Sequence, residues 1–244
     1  MHSTSQVLTF VLILTTVVAV GLTGLREATK PLADANEALF NKKGVLNAIQ
    51  THFAGDLPKD WDDARVEETF AKVKGYIFDY QGNEIKPEKY ESAIDLEKDR
   101  DKINKLDITE RPFPVWVYED GGKKFYVVTV YGKGLWDKIW GTVAFQEDME
   151  TLAGVSFDHK GETPGLGAEI KDSPGFYSQF KQKKIKAENG DYVGITVRKG
   201  GAKDQRYEVD GISGATITAD GVTEMMQEDI ADYQPIFAAL KKMK

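Results

Sequence analysis

Apolar residues fall in patterns of different period along the chain. Val7 to Leu25 is apolar apart from threonines and glycines and carries no charge. At the helical rise it spans roughly 28 Å, enough to cross the hydrocarbon core of a bilayer. A cleaved signal peptide is the alternative, but the segment is long for one and no small-residue cleavage pattern stands out. Ala28 to Phe53 follows a helical period, with Leu32, Ala35, Leu39, Leu46 and Ile49 along one face. Pro31 suits the first turn of that helix, and Gly44 is a candidate interruption. Pro58 and the acidic run Asp60 to Glu68 predict a turn and a solvated helix.

The period then shortens. Tyr76 to Ile85 predicts a strand, a bend at Gly82-Asn83 and a return. Lys86 to Glu110 is charged and helix-prone without a strong apolar face, so it is expected to be a surface insertion without chemistry. From Phe113 onward β-branched and aromatic residues dominate. PVWVY and KFYVVTVYG flank Glu119-Asp120-Gly121-Gly122, a hairpin signal. Ile139 to Gln146, Thr151 to Phe157 and Tyr192 to Arg198 predict further strands, and Ser173-Pro174 opens a short helix through Phe180. Near the C-terminus, Val222, Met225, Met226, Ile230, Tyr233 and Phe237 recur at three- and four-residue steps, one helix face on a core. The expected fold is α+β: a twisted antiparallel sheet with helices packed on one side, preceded by one N-terminal transmembrane helix. The expected organisation is an anchor over 1–27, a helical stalk over 28–60 and a domain over 61–244.

Composition narrows the chemistry. The net charge of −7 argues against nucleic acid, whose phosphates need a basic surface. The absence of cysteine excludes a disulfide framework, a thiolate zinc site and an iron–sulfur cluster ligated by this chain. His2, His52 and His159 are too far apart in sequence to suggest a metal site, and no nucleophile–base arrangement is recognisable. Electron transfer through this chain would need an organic cofactor.

The most informative stretch is Asp210 to Val222, DGISGATITADGV. Gly211 and Gly214 permit a tight turn, and a helical period then begins, with Thr218 a plausible N-cap. Ser213, Thr216 and Thr218 thus place hydroxyls at or just before a helix N-terminus, where a phosphate ester would meet free amides and the positive end of the helix dipole. An ordinary Ser/Thr/Gly cap has the same signature. A second stretch, GETPGLGAEI at Gly161 to Ile170, lacks the spacing of a P-loop or a Rossmann fingerprint. A third, GKGLWDKIWG, supplies glycines for close approach and an aromatic next to them, Trp136, which by itself reads as a core or stalk-contact tryptophan.

GETPGLGAEI and SGATIT, in this order along the chain and about fifty residues apart, resemble the two hallmarks of the FMN-binding domain family. The resemblance implies FMN joined by a phosphoester to Thr216, with Ser213, Gly214 and Ala215 forming the acceptor loop. It implies that Trp136 lies against the flavin, that Leu166 covers the ring, and that Glu162 and Thr163 contact its polar part. It implies a single-pass protein of the bacterial inner membrane with the domain on the periplasmic side, although Arg26 and Lys30 lean the positive-inside rule the other way. The implied function is an electron relay inside a larger respiratory NADH:quinone reductase, or a related electron-transport complex, without autonomous catalysis. The implied partners are the other subunits, including an iron–sulfur donor and a flavin-bearing acceptor, and a flavin transferase for maturation. A non-redox, membrane-tethered binding module and an autonomous flavin reductase are the competing functions.

Overall fold

The structure is a computed structural model that describes residues 3–54 and 56–242. His2 lies outside them. The chain divides into two units, Met1–Phe40 and Asn41–Lys244. The first consists of the greater part of α1 (Thr4–Ala48), whose apolar window has a mean hydropathy of 2.3 with none of it buried. The two expected helical segments are one. Pro31 sits inside α1 instead of in a first turn, and Gly44 does not interrupt it. Proline costs the Glu27 carbonyl its helical partner, but both flanks are good helix formers and continue through it.

In the second unit a 3-10 turn over Gln50–Phe53 leads towards α2 (Asp63–Phe70), which is capped by Asp62 accepting from the Arg65 amide. β1 (Val73–Phe78) follows, then two short helices, α3 (Ala93–Glu97) and α4 (Arg100–Ile103). β2 (Phe113–Asp120), β3 (Lys123–Lys133), β4 (Lys138–Phe145) and β5 (Leu152–His159) complete a five-stranded antiparallel meander in the order β1-β2-β3-β4-β5. The β2–β3 turn is Gly121-Gly122, both with positive φ, as the tight two-residue hairpin requires. α5 (Glu169–Asp172) and α6 (Pro174–Tyr177) pack against β5, with Phe176 beside Phe157. β6 (Thr196–Arg198) pairs in parallel with β7 (Glu208–Asp210) before α7 (Thr216–Asp232) and α8 (Gln234–Lys242). The Tyr192–Arg198 strand is therefore shorter than expected, because Gly194 adopts φ +63° where it packs on Gln227.

Alternation along the strands assigns two faces. Val115, Val117, Val128, Val130, Val143 and Phe145 share a core with Val222, Met225, Met226 and Ile230 of α7 and Phe237 of α8. The residues between them, Trp116, Tyr118, Val127 and Ala144, are equally buried on the opposite face. That face is covered by the end of α1 and by α3: Thr142 donates to the Gly44 carbonyl at 2.7 Å, and a Cβ on Gly75 would sit 3.2 Å from Ala93. Helices thus lie on both sides of the sheet, not one. A strand buried on both faces shows a near-continuous apolar run, which VVTVY within β3 does.

The 86–110 segment is not a surface insertion. Ile94, Leu96 and Ile103 are buried, and Arg100 is 7% exposed. Its apolar residues are divided between two short helices, so no single helical face reveals them.

β3 runs past the start of β2, leaving the Tyr131 amide without a strand partner. Asp229 of α7 accepts from it at 2.5 Å, beside a cavity of about 200 Å³ lined by Arg100, Arg111, Tyr131, Asp229 and Asp232 among others. Burial pushes the Asp229 carboxyl from 3.8 up to about 7, with Asp232 adding to the rise and the Tyr131 amide, Arg100 and Arg111 opposing it. An acid protonated in the fold and ionised in the unfolded chain makes stability fall as pH rises from about 4 to about 7, with little change above that. At about 1.4 kcal/mol per pH unit the loss is capped at roughly 4 kcal/mol. Asp229→Asn keeps an acceptor for the Tyr131 amide and should remove this slope. Thermal melts are expected to show the variant more stable than the parent at pH 8 and no different near pH 4.

Candidate functional site

Three loops meet at one end of the sheet, and each is held there by local chemistry. The β3–β4 connection, residues 134–137, closes with the Gly134 amide donating to the Asp137 carbonyl at 2.8 Å. The loop after β5 turns through Gly165, at φ +76°, and is tied by Leu166 and Ala168 amides donating to the Thr163 carbonyl, both at 3.1 Å. The third loop leads from β7 into α7 through Gly214 at φ +77°. α7 itself lies close on β3: a Cβ on Gly221 would fall 2.1 Å from the Lys133 carbonyl oxygen. Any larger residue there would lift the start of α7 from the strand. Gly221→Ala is therefore expected to destabilise the fold by about 1–3 kcal/mol, as overpacking does, measured by denaturant unfolding.

Thr216 is the first residue of α7 and is exposed, as are Ser213 and Gly214, while Ala215 is buried. The N-cap is Ala215, which supplies no side-chain hydrogen bond. The first amides of the helix are thus left uncapped by the chain. Thr218, the expected cap, is instead two residues inside the helix and 1% exposed. Its hydroxyl donates to Glu162 Oε2 at 2.6 Å. Among the described residues no hydrogen bond engages the Ser213 or Thr216 hydroxyl.

Glu162 is 5% exposed. Its Oε1 accepts from the Trp136 amide at 3.0 Å, and its own amide donates to His159 Nδ1 at 3.1 Å. That bond puts the proton of a neutral His159 ring on Nε2. Burial would raise the Glu162 carboxyl, but the Thr218 hydroxyl and the Trp136, Leu135 and Asp137 amides outweigh it and hold it below its ordinary value.

Trp136 is 67% exposed, with its indole N–H donating to Thr163 Oγ1 at 3.1 Å. Leu166 lies against the loop that leads into α7, since a Cβ on Gly214 would be 2.7 Å from one of its methyl carbons. Leu135, Trp136, Leu166 and Ile217 are all large, apolar and exposed on these loops. The three sequence motifs therefore converge. Not anticipated from sequence were the Glu162–Thr218 contact and the exposure of Leu135 and Ile217. The first joins residues far apart in the chain, and the second leaves no periodic signal.

An exposed apolar wall next to an unengaged hydroxyl and an uncapped helix N-terminus fits a flat ring carrying a phosphate. Comparison with known proteins agrees. A model of the FMN-binding domain family matches residues 134–231, from the β3–β4 loop almost to the end of α7. The C subunit of the Na(+)-translocating NADH-quinone reductase of Haemophilus ducreyi is 30% identical over 90% of this chain and 87% of its own length. The crystal structure of the same C subunit from Parabacteroides distasonis superposes with a TM-score of 0.71 at 29% identity, covering 85% of this chain and 96% of that one. The Shewanella oneidensis NqrC structure superposes at 0.69 with 27% identity, covering 85% and 99%. This chain, with its FMN-binding domain, belongs to the NqrC family, the C subunits of the Na(+)-translocating NADH-quinone reductases.

Proposed function

We propose that this protein carries FMN as a phosphoester on Thr216 and relays electrons within a membrane-bound, sodium-translocating NADH:quinone reductase. The observation that carries the proposal is the Thr216 hydroxyl, exposed and unengaged at the uncapped start of α7. The first-turn amides and the helix dipole suit a phosphate at that position. Trp136 and Leu166 offer the ring an apolar wall, and the Thr163 hydroxyl orients the indole. Ser213, Gly214 and Ala215 form a turn small enough to leave the acceptor accessible to a flavin transferase. FMN supplies the redox chemistry when bound, and the chain holds it at a fixed exit point and tunes it by contact. Intact-mass measurement of protein matured with its transferase should show an addition of one FMN less one water, and the band should fluoresce in a denaturing gel. An unmodified mass would overturn the proposal.

We also infer that residues 1–27 anchor the chain in a bacterial inner membrane, that 28–60 form the stalk and that 61–244 form the flavin domain on the periplasmic side. The uncharged, unburied apolar window of α1 supports the anchor. Protease added to spheroplasts should remove a C-terminal tag. Protection until lysis would place the domain inside. The partners are then the neighbouring subunits, an iron–sulfur donor on one side and a flavin-bearing acceptor on the other, with quinone reduction and sodium movement left to the membrane subunits. The NqrC relatives favour this complex over the G subunit of the Rnf system.

A further inference from the structure

Glu162 sits where the three loops touch, yet its carboxylate is consumed by the chain itself. One oxygen takes the Thr218 hydroxyl of α7 at 2.6 Å, and the other takes the Trp136 amide at 3.0 Å. The space around it is closed. A Cβ on Gly134 would fall 2.5 Å from Oε1, and one on Gly167 would fall 2.2 Å from Oε2 and 2.6 Å from Thr218 Oγ1. From the other side the Glu162 amide is anchored on His159 Nδ1 at 3.1 Å, at the end of β5. Charge-assisted bonds of this kind are stronger than neutral ones, and both oxygens of this buried carboxylate are taken by the chain.

Two consequences follow from this placement. Thr218 is the hydroxyl best suited by type to cap a helix beginning at Ala219, and three residues earlier Ala215 offers no cap at all. With its hydroxyl held by Glu162, Thr218 is drawn into the first turn, and Thr216 becomes the exposed first residue. The same carboxylate ties the Trp136 loop to that turn, so the indole and the acceptor hydroxyl are set relative to each other by one side chain.

Resting on the flavin reading above, we infer that Glu162 and Thr218 form a positioning pair: their hydrogen bond withdraws Thr218 as a cap or rival acceptor and sets the Trp136 loop against the start of α7, where Thr216 is presented. Glu162 is thus a positioning residue and not a ligand of the ring. Chemistry at the ester oxygen belongs to Thr216 alone.

The test uses full-length protein coexpressed with its transferase, comparing Thr218→Val, Glu162→Ala and Glu162→Gln with the parent. Flavinylation is mapped by peptide mass, and the bound flavin is followed by its absorption bands and fluorescence anisotropy. Thr218→Val keeps size and shape and cuts only the α7 arm. It should shift the flavin bands, lower the anisotropy and reduce the flavinylated fraction several-fold. Glu162→Ala should do at least as much. Glu162→Gln can still accept from the Trp136 amide and donate to Thr218 Oγ1, so it should restore most of the parental spectrum. If Glu162→Ala fails to fold, Thr218→Val and Glu162→Gln decide the matter alone. A flavinylated Thr218→Val protein with parental bands and anisotropy would overturn the inference while leaving the flavin reading intact. A parent without flavin on Thr216 would overturn that reading first, before any variant is compared.

Discussion

Thr216→Val should abolish covalent flavin completely while leaving the fold in place. Valine matches threonine in size, and the side chain is exposed at the first residue of α7, so the cost in stability should stay within about 0.5 kcal/mol. In the assembled complex the variant should still oxidise NADH with an artificial acceptor at the input subunit. Quinone reduction should fall to background, because the proposed relay is cut downstream. In the parent, a strong chemical reductant should reduce the flavin of the isolated protein readily and NADH only slowly, since no dinucleotide loop is recognisable. Rapid stoichiometric reduction by NADH would point to an autonomous reductase. If covalent flavin survived in Thr216→Val, the remaining candidate of the acceptor loop would be Ser213, whose hydroxyl is also free, ahead of Thr218, whose hydroxyl is bonded to Glu162. Trp136→Ala and Leu166→Ala should change the flavin spectrum and keep the bond, because neither supplies the ester oxygen.

Arg100→Ala should be strongly destabilising although it lies outside the site. Arg100 and Glu97 bond at 2.6 Å with side chains only 9% and 5% exposed. The Thr129 and Tyr131 hydroxyls also donate to Glu97. Burial alone would lower the Arg100 pKa, but the charge and hydrogen bond of Glu97 together with Tyr131 and Tyr233 outweigh it, and the guanidinium is held charged. Removing Arg100 leaves a buried carboxylate facing only neutral donors, which costs about 3–5 kcal/mol. The double replacement Glu97→Gln with Arg100→Met removes both charges and should recover most of that loss. Denaturant unfolding of the two proteins measures the difference. A cost for Arg100→Ala below about 1 kcal/mol would show that the pair is solvated in solution.

The features legible in the sequence are those whose physics is local. The period of three to four from Val222 to Ile230 follows from one helix face meeting one core, and Glu-Asp-Gly-Gly is a turn because only glycine accepts both positive φ values cheaply. The apolar run from Val7 to Leu25 declares itself by length and lack of charge. SGAT and GETPGLG are recognisable because a small, hydroxyl-bearing turn and a glycine-rich loop are short contiguous strings. By contrast, Thr218 looks like the helix cap because nothing nearby in sequence competes for its hydroxyl. Glu162 competes, but it arrives from another loop. Arg100 and Glu97 look like solvated charge for the same reason: their burial depends on β3, whose Thr129 and Tyr131 lie far along the chain. Trp116 and Tyr118 of β2 and Val127 of β3 could not announce that α1 and α3 cover them, because a strand's pattern reports whether a face is dry and not what dries it. Sequence alone therefore determined most of the strands, the C-terminal helix and the apolar N-terminal run, through contacts within a few residues. Only the tertiary structure decided which hydroxyl is free, which carboxylate is spent and which charges are buried, because those outcomes depend on partners brought together by the closing of the sheet.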